Sequence, residues 1–176
     1  MIRKAEEKDI QFIADIYDRL IDYETETVSY TSWIKGVYPT RHEPETAVPL
    51  GTMYVFEEDG KVLASMIINH NQAEAYYEMP WKYKAPDEKV LVIHTLCVDP
   101  DEKGKGIGKS MVAFAEEHAK INGCDVIRID TCTTNIPAQK MYAKLGFESV
   151  GTKHVMHHGV LDMTLLYLEK FVGLRD

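Results

Sequence analysis

The sequence predicts a mixed α/β sandwich. Three observations predict it. An amphipathic helical pattern near the N-terminus is followed by short apolar runs, so both hydrophobic periods occur in one chain. Val90–Val98 is nearly continuously apolar, the pattern of a strand buried on both faces. Beyond it, helix-like and strand-like segments alternate as far as Leu168.

A short strand near Ile2–Ala5 opens the chain. Ile10, Ile13, Ala14, Tyr17, Leu20 and Ile21 then recur at helical spacing, with Asp15, Asp18, Arg19 and Asp22 facing elsewhere. Asp9 is the expected N-cap. The pattern weakens from Thr25 to Leu50, where a short helix around Ser32–Val37 is expected to stop at Tyr38-Pro39. Met53–Phe56 and Val62–Ile68 flank Glu58-Asp59-Gly60, a hairpin signal. Asn69 to Glu88 reads as a long loop carrying Tyr76, Tyr77, Trp81 and Tyr83, and such loops are often functional.

Asp99-Pro100 ends the strand that begins at Val90. A helix follows with Met111, Val112, Ala115 and Ala119 on its inner face and Gly123 as its stop. Val126–Ile129 is a strand. Asn135 is placed to cap a helix reaching Leu145, with Pro137 in its first turn and Gly146 past its end. Glu148–Met156 and Leu161–Leu168 close the chain around a His157-His158-Gly159 turn. The order is β-α-α-β-β-β-α-β-α-β-β.

The 176 residues suffice for one sizeable core, and 45% hydrophobic with 27% charged residues is ordinary globular composition. No linker or repeat divides the chain, so one domain over residues 1–176 is expected. No apolar tract is long enough for a membrane span and the first residues lack a signal-peptide pattern, which predicts a cytoplasmic protein. Cys97, Cys124 and Cys132 form no CxxC clip and read as reduced, buried thiols. The net charge of −8, with no basic stripe, excludes a general nucleic-acid binder and mildly favours cationic small molecules. His154, His157 and His158 lie on a turn without a matching carboxylate or cysteine framework, so no metal is expected.

The chemistry concentrates at Lys103-Gly104-Lys105-Gly106-Ile107-Gly108-Lys109-Ser110, between a strand and a helix. Glycines there let backbone approach a ligand, and a helix N-terminus offers unpaired N–H groups and partial positive charge. The turn reads as a pyrophosphate cradle with three lysines around it, favoured by the strand before and the helix after; a tight solvated lysine-glycine turn without a ligand is its other reading. It is not a nucleotide P-loop, because position 103 is lysine where that motif needs glycine. It is not G-x-G-x-x-G either, because Gly104, Gly106 and Gly108 are spaced by two and two.

These residues resemble the GCN5-related N-acetyltransferase (GNAT) superfamily. Its hallmark, Arg/Gln-x-x-Gly-x-Gly/Ala, is matched by Lys103 to Gly108 with lysine in the first place. Leu96-Cys97-Val98-Asp99-Pro100 looks like the family's strand end. Asn135, Ala138, Tyr142 and Leu145-Gly146-Phe147 stand at the family's spacing. The resemblance implies a mixed, largely antiparallel sheet of about seven strands flanked by helices, with a splayed parallel pair forming a coenzyme A cleft. It implies acetyl-coenzyme A as co-substrate and a small-molecule or peptide amine as acceptor, without a metal; a homodimer stays open.

By the same resemblance, the backbone of Leu96, Cys97 and Val98 holds the pantetheine arm. Gly104, Lys105, Gly106, Ile107, Gly108 and Lys109 hold the pyrophosphate, and Asn135 contacts the cofactor or simply caps its helix. Tyr142 matches the tyrosine that protonates the leaving thiolate; packing on the sheet is its other reading. The base is Asp130, His94 or a water chain. Tyr77, Glu78 and Trp81 line the acceptor pocket or cover the sheet, with Tyr76, Trp33, Tyr38 and Arg41 read the same two ways. A non-catalytic acyl-coenzyme A sensor on the same fold is the competing function.

Overall fold

The computed structural model describes residues 1–173. Its strands are β1 (Ile2–Lys4), β2 (Met53–Glu58), β3 (Lys61–Asn69), β4 (Val90–Val98), β5 (Val126–Cys132), β6 (Glu148–His157) and β7 (Leu161–Phe171). Hydrogen bonds join them in the order β1-β2-β3-β4-β5-β7-β6. β1–β2, β2–β3, β5–β7 and β6–β7 are antiparallel, and β4–β5 is parallel. The parallel ladder pairs Val90 with Val126 through Ile93 with Ile129. Helices α1 (Ile10–Glu26), α2 (His42–Ala47), α3 (Ile107–Ile121) and α4 (Ile136–Lys144) flank the sheet. This is the mixed α/β architecture that the sequence predicts.

The residues gather into two compact units. One comprises Met1–Ser29, Trp33–Ile68 and His94–Val112; the other comprises Tyr30–Ser32, Asn69–Ile93 and the chain from Ala113. In the first, α1 buries Ile13, Ile16 and Tyr17 with Ala5, Ala47, Met53, Val55 and Cys97. The spacing of 13, 16 and 17 is the helical stripe read from the sequence, and each isoleucine so buried contributes about 1.5–3 kcal/mol. In the second, Tyr76, Val90, Val92 and Tyr167 are buried together, with Trp81, Val150 and Leu165 packed against them. The two-residue Asp59-Gly60 turn joins β2 to β3 with positive φ at both positions, the geometry that matches strand twist.

Two local expectations are corrected. No helix forms at Ser32–Val37: Ser32 and Gly36 take φ of 59° and 75°, and Ile34 bridges Tyr38 instead. The helix comes later, as α2. It is announced by Thr40-Arg41-His42-Glu43, where the Thr40 amide donates to Glu43 Oε2 (2.5 Å) and the His42 amide to Thr40 Oγ1 (3.2 Å). These bonds tie the Thr40 backbone and hydroxyl to the first turn of α2, whose N-cap residue Arg41 makes no side-chain cap. Asp9 stands before α1 but makes no side-chain cap to it. Its carboxylate accepts instead from the Glu6 amide (2.8 Å) and from both Nη atoms of Arg3 (2.6 and 3.0 Å).

Asp9 is buried, which pushes its pKa up, but Arg3 and the Glu6 amide outweigh burial and hold it below the ordinary aspartate value. A depressed folded pKa stabilises above the unfolded pKa and loses that contribution as pH falls through the folded one. Asp9→Asn is therefore expected to cost about 1–3 kcal/mol at pH 7. The gap to the parent protein should narrow as pH falls below the free aspartate value near 3.9 and through the lower folded one. Paired denaturant melts at pH 7 and in acid check this, and a gap that does not narrow in acid would contradict it.

Candidate active site

β4 reaches its C-terminal end with Leu96 and Val98 half-buried on one side and Cys97 sealed in the core on the other. Burial pushes the Cys97 thiol far up, so this residue can serve a ligand only through its backbone. Thr95, just before, has φ of 49°, and its Oγ1 lies 2.8 Å from the Tyr38 hydroxyl. Asp99 closes the strand. Its amide donates to the Leu63 carbonyl (2.9 Å), while its carboxylate takes Arg19 from α1 (2.5 Å) and the Asp101 amide (3.1 Å).

The glycine turn follows. Gly104 and Gly106 have φ of 85° and 80°, and a Cβ built on either would meet nothing within 4 Å. Both therefore need glycine for their backbone and leave open space where a side chain would stand. The first helical bond of α3 runs from the Ser110 amide to the Gly106 carbonyl (3.0 Å). The amides of Ile107, Gly108 and Lys109 precede it, in positions with no intrahelical acceptor. Ile107 is buried and anchors the turn, whereas Gly104, Lys105, Gly106 and Lys109 are exposed. Free amides, a positive helix end and bare glycines fit a pyrophosphate. Lys105 pairs with Glu102 (2.6 Å), and the Lys103 ammonium sits 5.3 Å from the Tyr23 ring centre, so the lysine at the motif's first place rests on α1.

In the other unit, Asp130 on β5 accepts a 2.7 Å hydrogen bond from the buried Tyr76 hydroxyl. Burial raises the Asp130 pKa, and the Tyr76 bond opposes that rise. Tyr142 on α4 is buried against Phe147, with ring centres 5.6 Å apart. Burial and the charge of Asp130 both push its phenol far up, so Tyr142 keeps its proton at neutral pH. Asn135 accepts from the Ala138 amide (3.2 Å) and so caps α4 as expected. His94, the alternative base, is half-buried on β4.

The aromatic loop is not featureless: it contains a 3₁₀ turn at Glu74–Glu78. Tyr76, Tyr77, Met79, Trp81 and Arg128 are among the walls of a cavity of about 400 Å³. The Arg128 guanidinium lies 4.2 Å from the Trp81 ring centre and donates to Gln72 (2.6 Å) and the Tyr83 carbonyl (3.0 Å). Tyr77 is exposed and donates to Asp87 (2.9 Å). Glu78 pairs with Lys153 (2.5 Å), which offsets the charge an ammonium acceptor would use. His154 pairs with Asp162 across the β6–β7 hairpin.

With this geometry in place, the comparison with known proteins is decisive. The acetyltransferase (GNAT) family model matches residues 13–147. The chain belongs to this family. It is 28% identical over 123 residues to streptothricin acetyltransferase of Escherichia coli, covering 68% of this chain and 67% of that protein. It is 37% identical over 90 residues to N-acetylaspartate synthetase of Xenopus tropicalis, covering 51% of this chain and 32% of that protein. The chain thus spans about a third of the latter's length. Among solved structures, yncA from Salmonella typhimurium, solved with acetyl-CoA, shares the fold at a TM-score of 0.69 and 18% identity, covering 100% of this chain and 95% of that one.

Two features of this GNAT chain escaped sequence reading. Tyr76 appears in the sequence only as one loop aromatic, yet it is the hydrogen-bond donor to Asp130. Arg128 had a legible signal, a charge inside the apolar run Val126–Ile129, and it is 5% exposed. Because the Tyr76 hydroxyl stabilises the Asp130 carboxylate, Tyr76→Phe should move the Asp130 titration to higher pH. Carbon-13 NMR of the side-chain carboxyl reads this directly, and a midpoint unchanged or lowered would contradict it.

Proposed function

We propose that this chain, as one catalytic domain over residues 1–176, transfers an acetyl group from acetyl-CoA to a primary amine of a small molecule or peptide. The observation that carries the reading is the glycine turn, open at Gly104 and Gly106 and followed by unbonded first-turn amides, in a chain of the GNAT family. The streptothricin acetyltransferase relative and the acetyl-CoA-bound fold neighbour support it.

Bound acetyl-CoA supplies the acyl group as a thioester, exchanged for an amide with release of the thiol. The backbone of Leu96, Cys97 and Val98 presents N–H and C=O groups to the pantetheine arm. The amides from Gly104 to Lys109 receive the pyrophosphate, and Asn135 fixes the start of α4 beneath its second role at the cofactor. Tyr142 holds a phenolic proton on Oη and gives it to the departing sulfur; burial and the Asp130 charge keep that proton in place until the sulfur leaves. Asp130 takes up the amine's proton, with His94 or a water chain as the other routes; a raised carboxylate pKa brings it nearer to that task. Tyr77, Glu78 and Trp81 contact the acceptor.

Acetyl-CoA at about 100 times its dissociation constant should stabilise the protein by about 2.7 kcal/mol. Gly106→Val should abolish that shift while the variant still folds, because a branched residue is disfavoured at φ of 80° and its side chain fills the cradle. A melting scan of both proteins decides it, and no shift for the parent at millimolar acetyl-CoA would sink the cofactor reading. Coenzyme A release with a library of amines then separates enzyme from sensor, since a sensor binds without release.

Tyr142→Phe should lower kcat on the order of 100- to 10,000-fold, the usual worth of general acid catalysis, with a smaller change in KM for acetyl-CoA. Steady-state rates test it; parental turnover in the variant would leave Tyr142 a packing residue.

A further inference from the structure

The segment Leu96–Val98 lies between two clamps that the family assignment does not name. At its exit, Asp99 is buried and held by Arg19 of α1 at 2.5 Å. At its entry stands Thr95, whose φ of 49° falls in the left-handed region. A β-branched residue is a genuine outlier there, because its side chain crowds the backbone, and such a conformation persists only where the surroundings over-determine it. Tyr38 supplies the observed restraint: its hydroxyl and Thr95 Oγ1 are 2.8 Å apart. The Tyr38 ring is itself set edge-on against Trp33, with centres 6.0 Å apart, and Trp33 packs on the core formed by α1. The β4–β5 ladder ends at Ile93, two residues before Thr95.

We propose that Tyr38 is a positioning residue for acyl-donor binding, holding Thr95 in its left-handed conformation so that the backbone of Leu96–Val98 presents its groups to the pantetheine arm. The proposal rests on the function proposed above. Tyr38 acts through Thr95 and needs no contact with the donor. Glycine adopts positive φ without a restraint, so the clamp is dispensable once residue 95 is glycine.

The test is calorimetric affinity for acetyl-CoA, with KM and kcat, in the parent, Tyr38→Phe, Thr95→Val, Thr95→Gly and the Tyr38→Phe/Thr95→Gly double variant. Tyr38→Phe should weaken acetyl-CoA binding about tenfold, the scale of one lost hydrogen bond. Thr95→Val removes the same bond while leaving the Tyr38 ring in place, and should match that loss. In the Thr95→Gly background, Tyr38→Phe should have no further effect. Melting of each variant without ligand identifies any loss that comes from unfolding, and Thr95→Val then stands in for Tyr38→Phe. Parental affinity in both Tyr38→Phe and Thr95→Val, or an undiminished loss in the double variant, would overturn the clamp alone. Failure of the parent itself to bind acetyl-CoA would overturn the functional reading, and the clamp with it.

Discussion

Ile107 is buried, while Gly104 and Gly106 before it have open space where side chains would be. That contrast sets the constraint on which the glycine turn depends. α3 must begin at a fixed depth, so its first apolar residue is sunk and holds the helix. It must also begin bare, so that its unbonded amides face outward rather than a wall of side chains. Neither half works alone. An anchored helix with branched residues at 104 and 106 would be closed, and a bare turn without Ile107 would leave its amides without a defined direction. Asp99, pinned by Arg19 and by the Leu63 carbonyl, fixes the other end of the same turn.

The titratable residues Asp130 and Tyr142 obey a different rule. Asp130 and Tyr142 are perturbed in the same direction, upward, chiefly by burial. For Tyr142 that outcome preserves a proton, and for Asp130 it weakens the hold on negative charge. Tyr76 moderates the second effect by donating to the carboxylate, and it stays a donor because its own phenol is driven well above the ordinary tyrosine value. A buried phenol thus tunes a carboxylate, and both sit on elements whose apolar neighbours exclude water.

What was legible in the sequence followed from local rules. The α1 stripe, the Asp59-Gly60 hairpin, the Asn135 cap and the strand–glycine turn–helix sequence each follow from spacing or from one residue's backbone preference, and each is present. Expectations went astray where contacts that no helical or strand period reports overrode the local pattern. Ser32–Val37 lost its helix to two left-handed residues and a bridge, and the helix forms instead at His42–Ala47. Asp9 lost its cap role because a guanidinium close in space outcompeted the helix end. Tyr76 and Asp130 are 54 residues apart, and no local pattern reports such a pair. Thr95 carries no turn signature, since threonine is an ordinary strand residue whose left-handed backbone is imposed from outside.

The chain has two tryptophans. Trp33 packs on the core beneath α1, and Trp81 packs on the cluster around Tyr76 and Tyr167 with a guanidinium over its face. Each compact unit therefore carries its own intrinsic fluorophore, in an environment chemically unlike the other's. Replacing either indole by phenylalanine leaves emission from one cluster only. The pair of single-tryptophan proteins can show optically, without any attached dye, whether the two clusters lose their packing in one cooperative event or in succession.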